Sequence, residues 1–315
     1  MIVQNPEYFL AIVQYANLTK AANALYVSQT SLSQYLKRLE AELGVSLFDR
    51  SSSPLALTDA GERYYRYVIE CRQRESNMRE ELMDIRLESR GALRLGIAVW
   101  RSACLIPDVF PEYSRRYPGV ELEVKEGRFV QLKQAVSNNE LDFAIVNLLP
   151  AGNYGDFAIE PIAHERILLA APSDHPYVQQ ALQRQAGGKG LPVIDFDVLN
   201  HIPLVLTKPG QSLTDMVDST LAQKHITPHM LMETGNLTTA INLAARGMCC
   251  AFVPEEGARV CQHPGKVTYF SFDDPAFSWT LAAIHKKGAY LSAFKRAFID
   301  CAREMLNAGD SVGCS

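Results

Sequence analysis

The stretch from Leu18 to Gly44 constrains this chain more than any other. It reads LTKAANALYVSQTSLSQYLKRLEAELG, two short helical patterns on either side of the turn Tyr26-Val27-Ser28. In the second pattern Leu32, Leu36, Leu39 and Leu43 share one helix face. At about 100° per residue, Thr30, Ser31, Gln34, Lys37 and Arg38 fall on the opposite face. Ser28 suits an N-cap and Gly44 a C-terminal stop. A leucine seam backed by donors and cations fits the second helix of a helix-turn-helix, which lies in the major groove. By itself such a helix could equally be a solvated surface helix, so the flanks matter. Thr19 is expected to cap a helix over residues 20–25, whose Ala21, Ala22 and Ala24 permit close packing. After Gly44, two short apolar runs (residues 45–50 and 55–58) enclose Ser51-Ser52-Ser53-Pro54 and predict a β-hairpin wing.

Charge does not advertise a nucleic-acid binder. The 315 residues carry a net charge of −4. Within residues 1–57, Lys20, Lys37, Arg38 and Arg50 balance Glu7, Glu40, Glu42 and Asp49. The field on one face decides binding, and so few cations predict a modest salt dependence. No apolar run of about eighteen residues predicts a membrane span, and the first residues lack the pattern of a secretory signal. The seven cysteines are odd in number and scattered. Together these predict a reduced, cytoplasmic protein with no membrane partner.

Asn5-Pro6-Glu7 reads as a capped helix start, with Phe9, Ile12, Val13 and Ala16 facing inward. Thr58 opens a long helical pattern reaching Arg90. Tyr64, Val68, Cys71, Glu75, Met78, Leu82 and Ile85 recur in it at four-three spacing. That is a two-stranded seam, with Glu75 as its one costly member, and it predicts a dimerisation helix rather than a lone surface helix. Two-fold pairing would match a pseudo-palindromic DNA site.

Beyond Gly91 the pattern alternates. Strands are expected at residues 93–99, 120–124 and 143–146, with helices at 104–117 and 130–139 between them. A second run begins at 167–170 and continues with strands at 203–206, 230–233 and 248–253 and helices at 212–224 and 237–246. A strand at 279–284 and a helix at 292–306 close the chain. Such alternation predicts parallel sheet in two doubly wound α/β lobes.

The N-terminal residues carry a family resemblance. Thr19-Lys20-Ala21-Ala22 is followed by Val27-Ser28-Gln29 and Leu32-Ser33. Leu36, Leu39-Glu40, Glu42-Leu43-Gly44-Val45, Leu47-Phe48 and Arg50 come next, and Leu57-Thr58 with Ala60-Gly61 close the run. This pattern resembles LysR-type transcriptional regulators. Further on, Leu105-Ile106-Pro107 through Tyr117-Pro118-Gly119-Val120, Glu140 to Val146, and Ser173-Asp174-His175-Pro176 match that family's signposts. The resemblance covers nearly the whole chain. It implies an N-terminal all-α winged helix-turn-helix (1–58), a linker and dimerisation helix (59–90), and a periplasmic-binding-protein-like effector domain (91–315). Lobe I of that domain would take about 91–162 and 270–306, and lobe II about 163–269.

Carried over residue by residue, it also implies that Gln29, Thr30, Ser31, Ser33 and Gln34 read bases. Lys37 and Arg38 would meet phosphates or a guanine edge, Thr19 would join the DNA-contacting set, and Arg50 in the wing would touch backbone. Ser33 lies nearest the buried seam, and Ser51 to Ser53 stand where the family wing usually carries basic residues. A homodimer or homotetramer on double-stranded DNA, contact with RNA polymerase and a small-molecule effector follow from the same resemblance.

In open α/β sheets, ligands bind beyond the carboxyl ends of strands, near helix N-termini. That names Trp100, Arg101, Ser102, Arg128, Asn147, Thr207, Gln211, Ser212 and Asn236 as candidate effector-binding residues. Trp100 would stack on a flat effector or pack between lobes. Arg101 or Arg128 would meet an anion or be solvated. The segment 178–199, with Gly187-Gly188-Lys189-Gly190, reads as a surface insertion. Cys249 and Cys250 fall in an apolar strand pattern, which favours core packing over redox sensing. The seven histidines lack ligand spacing, and Pro228 separates His225 from His229, so neither a metal site nor a cofactor is expected. No nucleophile elbow, P-loop or dinucleotide fingerprint is present. The reading is therefore a ligand-responsive, DNA-binding regulator and not an enzyme. Its rivals are a small-molecule binding protein and a cleft enzyme without a regulatory role.

Overall fold

A computed structural model describes residues 5–49, 54–86, 90–149, 152–184 and 190–309. The chain divides into two compact units, Met1–Leu82 and Met83–Ser315. No helix among the described residues is long and apolar enough to cross a membrane.

The first unit contains helices α1 (Pro6–Tyr15), α2 (Leu18–Ala24) and α3 (Gln29–Leu43), then a hairpin of β1 (Phe48–Asp49) and β2 (Ala56–Leu57). The long helix α4 (Asp59–Ile85) follows. Leu32, Leu36 and Leu39 of α3 are buried against Phe9, Ile12, Ala21 and Ala22, as the leucine spacing predicts. Two helix starts differ from expectation. The cap of α2 is Asn17, whose side chain accepts from Lys20 N at 3.0 Å, so Thr19 lies inside the first turn. Asn5 precedes α1 in a left-handed conformation and makes no side-chain cap bond.

At the start of α4, Thr58 Oγ1 donates to Ser46 O (2.7 Å) and accepts from Gly61 N (3.0 Å), tying the helix to the wing. Gly61 lets the two meet, because a Cβ there would lie 2.0 Å from Leu47 O. The α4 seam divides. Tyr64 and Val68 are buried in the core of the first unit, with the Tyr64 ring edge-on to Phe9 at 4.8 Å. They are therefore not free to form a dimer seam. Cys71 is half-buried, Glu75 pairs with Arg79 at 2.7 Å, and Met78, Leu82 and Ile85 are exposed.

The second unit is built on a mixed sheet with strand order β4-β3-β5-β11-β6-β9-β7-β8, and β10 also pairs with β6. Lobe I holds β3 (Arg90–Ile97), α5 (Val99–Arg116), β4 (Gly119–Glu126), α6 (Phe129–Ser137) and β5 (Phe143–Leu148). Strand β6 (Phe157–Pro172) then runs into lobe II. There α7 (Pro176–Arg184), β7 (Leu204–Thr207), α8 (Ser212–Gln223), β8 (Met230–Thr234), α9 (Leu237–Ala244), β9 (Cys250–Pro254), α10 (Glu255–Val260) and β10 (Val267–Phe270) follow. Strand β11 (Ser278–Lys286) returns beside β6, and α11 (Ala293–Gly309) closes the described chain. The pairs β3–β4, β3–β5, β7–β8 and β7–β9 are parallel, as two doubly wound lobes require. The pairs that β6 and β11 make are antiparallel, so the sheet as a whole is mixed.

Three expectations change here. The strand expected at 167–170 is sixteen residues long. Its first half, Phe157 to His164, is interrupted by Glu160 and Pro161, and the proline is tolerated because the register against β11 shifts opposite it, between Leu281 and Ala282. Helix α5 starts at Val99 rather than Cys104, and its Pro107 and Pro111 lie four apart on the exposed face, where lost amide bonds cost least. The segment 178–199 is more than a surface insertion, since Val178, Ile194, Val198 and Leu199 are buried in the lobe II core. Gly187 to Lys189 lie outside the described residues.

Candidate DNA-reading face and effector cleft

Helix α3 presents its polar stripe to solvent. Ser28 caps it, accepting from Ser31 N at 3.1 Å, and Gly44 closes it with φ 71°. Gln29, Thr30, Ser31, Gln34, Lys37 and Arg38 are exposed, as is Thr19 on α2, whereas Ser33 is half-buried. The Ser31 hydroxyl lies 2.7 Å from the Ser28 hydroxyl and so belongs partly to the cap. The carboxylate of Glu40 turns away from this stripe. Its Oε1 accepts from Leu47 N (2.8 Å) and Phe48 N (3.3 Å), which fixes the first wing strand to α3. Arg50 and Ser51 to Ser53 lie outside the described residues.

In the second unit, the candidate residues lie at or beyond the carboxyl ends of strands, but their side chains fare differently. Arg101 is only 2% exposed, and its Nη2 and Nη1 reach Glu165 Oε2 (2.5 Å) and Oε1 (3.3 Å). Glu165 also accepts from Trp279 Nε1 (2.7 Å) and Glu256 N (3.0 Å). Four donors therefore converge on one carboxylate at the crossing between the lobes, and Arg101 is spent as an effector anchor. Trp100 packs against the lobe II core; its Cζ2 would lie 3.0 Å from a Cβ on Gly257, and the Arg101 guanidinium sits 4.8 Å above its ring. It is a packing residue of the lobe junction. Thr207 is buried with its hydroxyl 2.6 Å from that of Thr214, so it too is unavailable.

The remaining candidates differ in what their polar groups do. Arg128 precedes α6 and is exposed, and a Cβ on Gly210 of lobe II would lie 3.6 Å from its Nη1. Asn147 Oδ1, near the end of β5, is buried without a hydrogen-bond partner among the described residues. Gln211 reaches toward Gly235 O at 3.5 Å, Ser102 and Ser212 are half-buried, and the Asn236 side chain caps α9 by accepting from Thr238 N at 2.9 Å.

Charged neighbours surround the Glu165 site. Burial pushes the Glu256 carboxyl up, against the opposing pull of Arg259 and Arg101. Burial also acts to raise Glu255, but the hydrogen bond from Arg166 and the charges of Arg166 and Arg259 outweigh it and hold that carboxyl below its usual range. Among the described residues no cluster of His, Cys, Asp and Glu could hold a metal ion. Burial raises the Cys249 thiol to about 11, which leaves it a small core residue.

Residues 4–62 match the lysR family of bacterial regulatory helix-turn-helix proteins, and residues 86–307 match the LysR substrate binding domain. The chain belongs to the LysR family of transcriptional regulators. It is 30% identical to the uncharacterized HTH-type transcriptional regulator YcgK of Bacillus subtilis, an alignment covering 100% of this chain and 98% of the relative. Among solved structures it is similar to a full-length OxyR variant from Pseudomonas aeruginosa. There the TM-score is 0.63 at 25% identity, over 95% of this chain and 93% of that one. Full-length BenM shares the fold, with a TM-score of 0.56 at 19% identity over 98% of each chain.

This LysR regulator is thus a ligand-responsive, DNA-binding transcription factor with a winged reading head and an α/β effector domain. Sequence reasoning missed the Glu165 site, although a signal was present. His164-Glu165-Arg166 places three polar residues directly before the apolar run Ile167 to Ala171, where a strand interior would exclude them unless they were paired.

Proposed function

We propose that two copies of this LysR regulator read a pseudo-palindromic operator through the N-terminal half of α3, with Gln29, Thr30, Ser31 and Gln34 on base edges. Lys37 and Arg38 meet phosphates or a guanine edge. One observation carries this reading. The side chains of Gln29, Thr30, Gln34, Lys37 and Arg38 form an exposed stripe with no hydrogen bond or ion pair to other described residues, while Glu40, the first carboxylate after them in the chain, is held on wing amides. Pairing is mediated by the exposed apolar stripe Met78, Leu82 and Ile85 of α4, extended by Cys71. The protein acts in the cytoplasm, as a dimer or an assembly of dimers in contact with RNA polymerase.

The effector is a small anion held in the cleft. Support comes from Arg128 facing Gly210 and from the unpartnered Asn147 Oδ1. A mobility shift across a salt series, on DNA upstream of the protein's own gene, tests the reading head. A folded Gln34→Ala, Arg38→Ala double variant should lose sequence-specific binding; retained specific binding would put another face in the groove. For the cleft, a panel of small carboxylates and phosphate esters is scored by thermal shift. Arg128→Ala should abolish any shift seen with wild type, and an undiminished shift would move the site elsewhere.

A further inference from the structure

Tyr26 sits in the turn between α2 and α3, and its side chain is 97% exposed. Its backbone is left-handed, with φ 54°. A bulky side chain is unfavourable in that region, where glycine or asparagine would be accommodated more readily. The turn itself is fixed by main-chain bonds, Tyr26 N to Asn23 O at 3.2 Å and Val27 N to Ala22 O at 3.0 Å, and needs no phenol. The ring packs on nothing, so folding gains nothing from an aromatic here.

We propose that Tyr26 is a DNA-contacting residue whose hydroxyl donates a hydrogen bond to a phosphate oxygen at the edge of the groove entered by α3. The position is continuous with the reading face: Tyr26 lies two residues before the cap Ser28 and three before Gln29. Residues that begin the helix point at base edges, and the residue leading into it lies toward the groove wall, where tyrosine is one of the usual phosphate donors. The contact adds grip without adding charge. That suits a reading head with few cations, since a neutral donor positions the helix and releases no counterion. The inference rests on the assignment of α3 as the reading helix.

The experiment uses the full chain and a duplex recovered by selecting random-sequence DNA on the wild-type protein. Affinity is measured across a salt series for Tyr26→Phe, Tyr26→Asn, Lys37→Ala and the Gln34→Ala, Arg38→Ala double variant. Tyr26→Phe, which keeps the ring, should bind about tenfold more weakly at every salt concentration. Its salt slope should match wild type, whereas Lys37→Ala should lower the slope by about one. Tyr26→Asn should bind as weakly as Tyr26→Phe while melting no lower than wild type. Wild-type affinity in Tyr26→Phe overturns the inference and leaves the reading helix in place. If selection enriches no site, or the double variant still binds its site specifically, the reading helix is wrong and the inference falls with it.

Discussion

Arg101 and Glu165, 64 residues apart in the chain, form a two-pronged ion pair that is almost fully buried where the lobes cross. The Glu165 carboxylate is shared with Trp279 Nε1 and an amide in the first turn of α10. Removing the acid would strand a buried guanidinium and two further donors. Glu165→Ala should therefore cost about 3–5 kcal/mol in denaturant unfolding of the effector unit. Replacing both partners, as Arg101→Met with Glu165→Leu, should cost less than the single change. A single variant no less stable than the double one would mean that the stranded guanidinium carries no penalty.

Gly61 is required by space. A Cβ would lie 2.0 Å from Leu47 O and 2.8 Å from Leu57 Cδ2. Gly61→Ala must push the wing away from α4, at about 3 kcal/mol by analogy with overpacked cores. Melting of the first unit would report it; an unchanged midpoint would show that the wing yields freely.

Tyr35 poses the opposite case. Its ring lies edge-on to Tyr8 at 5.3 Å, and its Oη is buried with no hydrogen-bond partner among the described residues. Burial accordingly pushes this phenol well above its usual range. Tyr35→Phe should be neutral or stabilise by up to about 1 kcal/mol. A clear loss of stability would reveal a partner for the hydroxyl.

His285 gives the effector unit a pH dependence. Burial lowers its folded value, against the opposing pull of Glu160, while Arg296 reinforces the lowering. The unfolded imidazole, at about 6.5, therefore binds its proton first as pH falls. Stability is fullest above that value and declines as pH drops toward the folded one. Denaturant midpoints between pH 7.5 and 5.5 should fall, and His285→Gln should fall less. Equal slopes would assign the dependence to other groups.

The exposed members of the α4 stripe make the pairing testable. Met78→Glu with Leu82→Glu should give monomers in sedimentation and weaken operator binding, without unfolding the first unit. A dimer that persists would place the seam elsewhere.

Much of this was legible because it is periodic. The leucine spacing of α3 and the continuous apolar runs of β5 and β9 report burial directly, and the structure follows them closely. Pairing between distant segments leaves no such mark. Arg101 is an ordinary polar residue near a helix start until Glu165 arrives from another element. Tyr64 and Val68 continue one heptad with Leu82 and Ile85, yet a short first unit had already claimed them for its own core. Thr207 fits a cleft position by topology but is taken by Thr214 in the first turn of α8. Tyr26 was visible as part of a turn, but only its backbone angle and exposure single it out.

Strand β6 carries a mechanical consequence. Two lobes joined by loops could swing apart at little cost, but these share a continuous sixteen-residue strand paired along much of its length with β11. Opening or closing the cleft must twist that ribbon, which behaves as a torsion bar rather than a free joint. A ligand's preference for one cleft geometry is then partly stored as twist, and the ribbon's stiffness sets the smallest preference that changes the conformation of the effector unit.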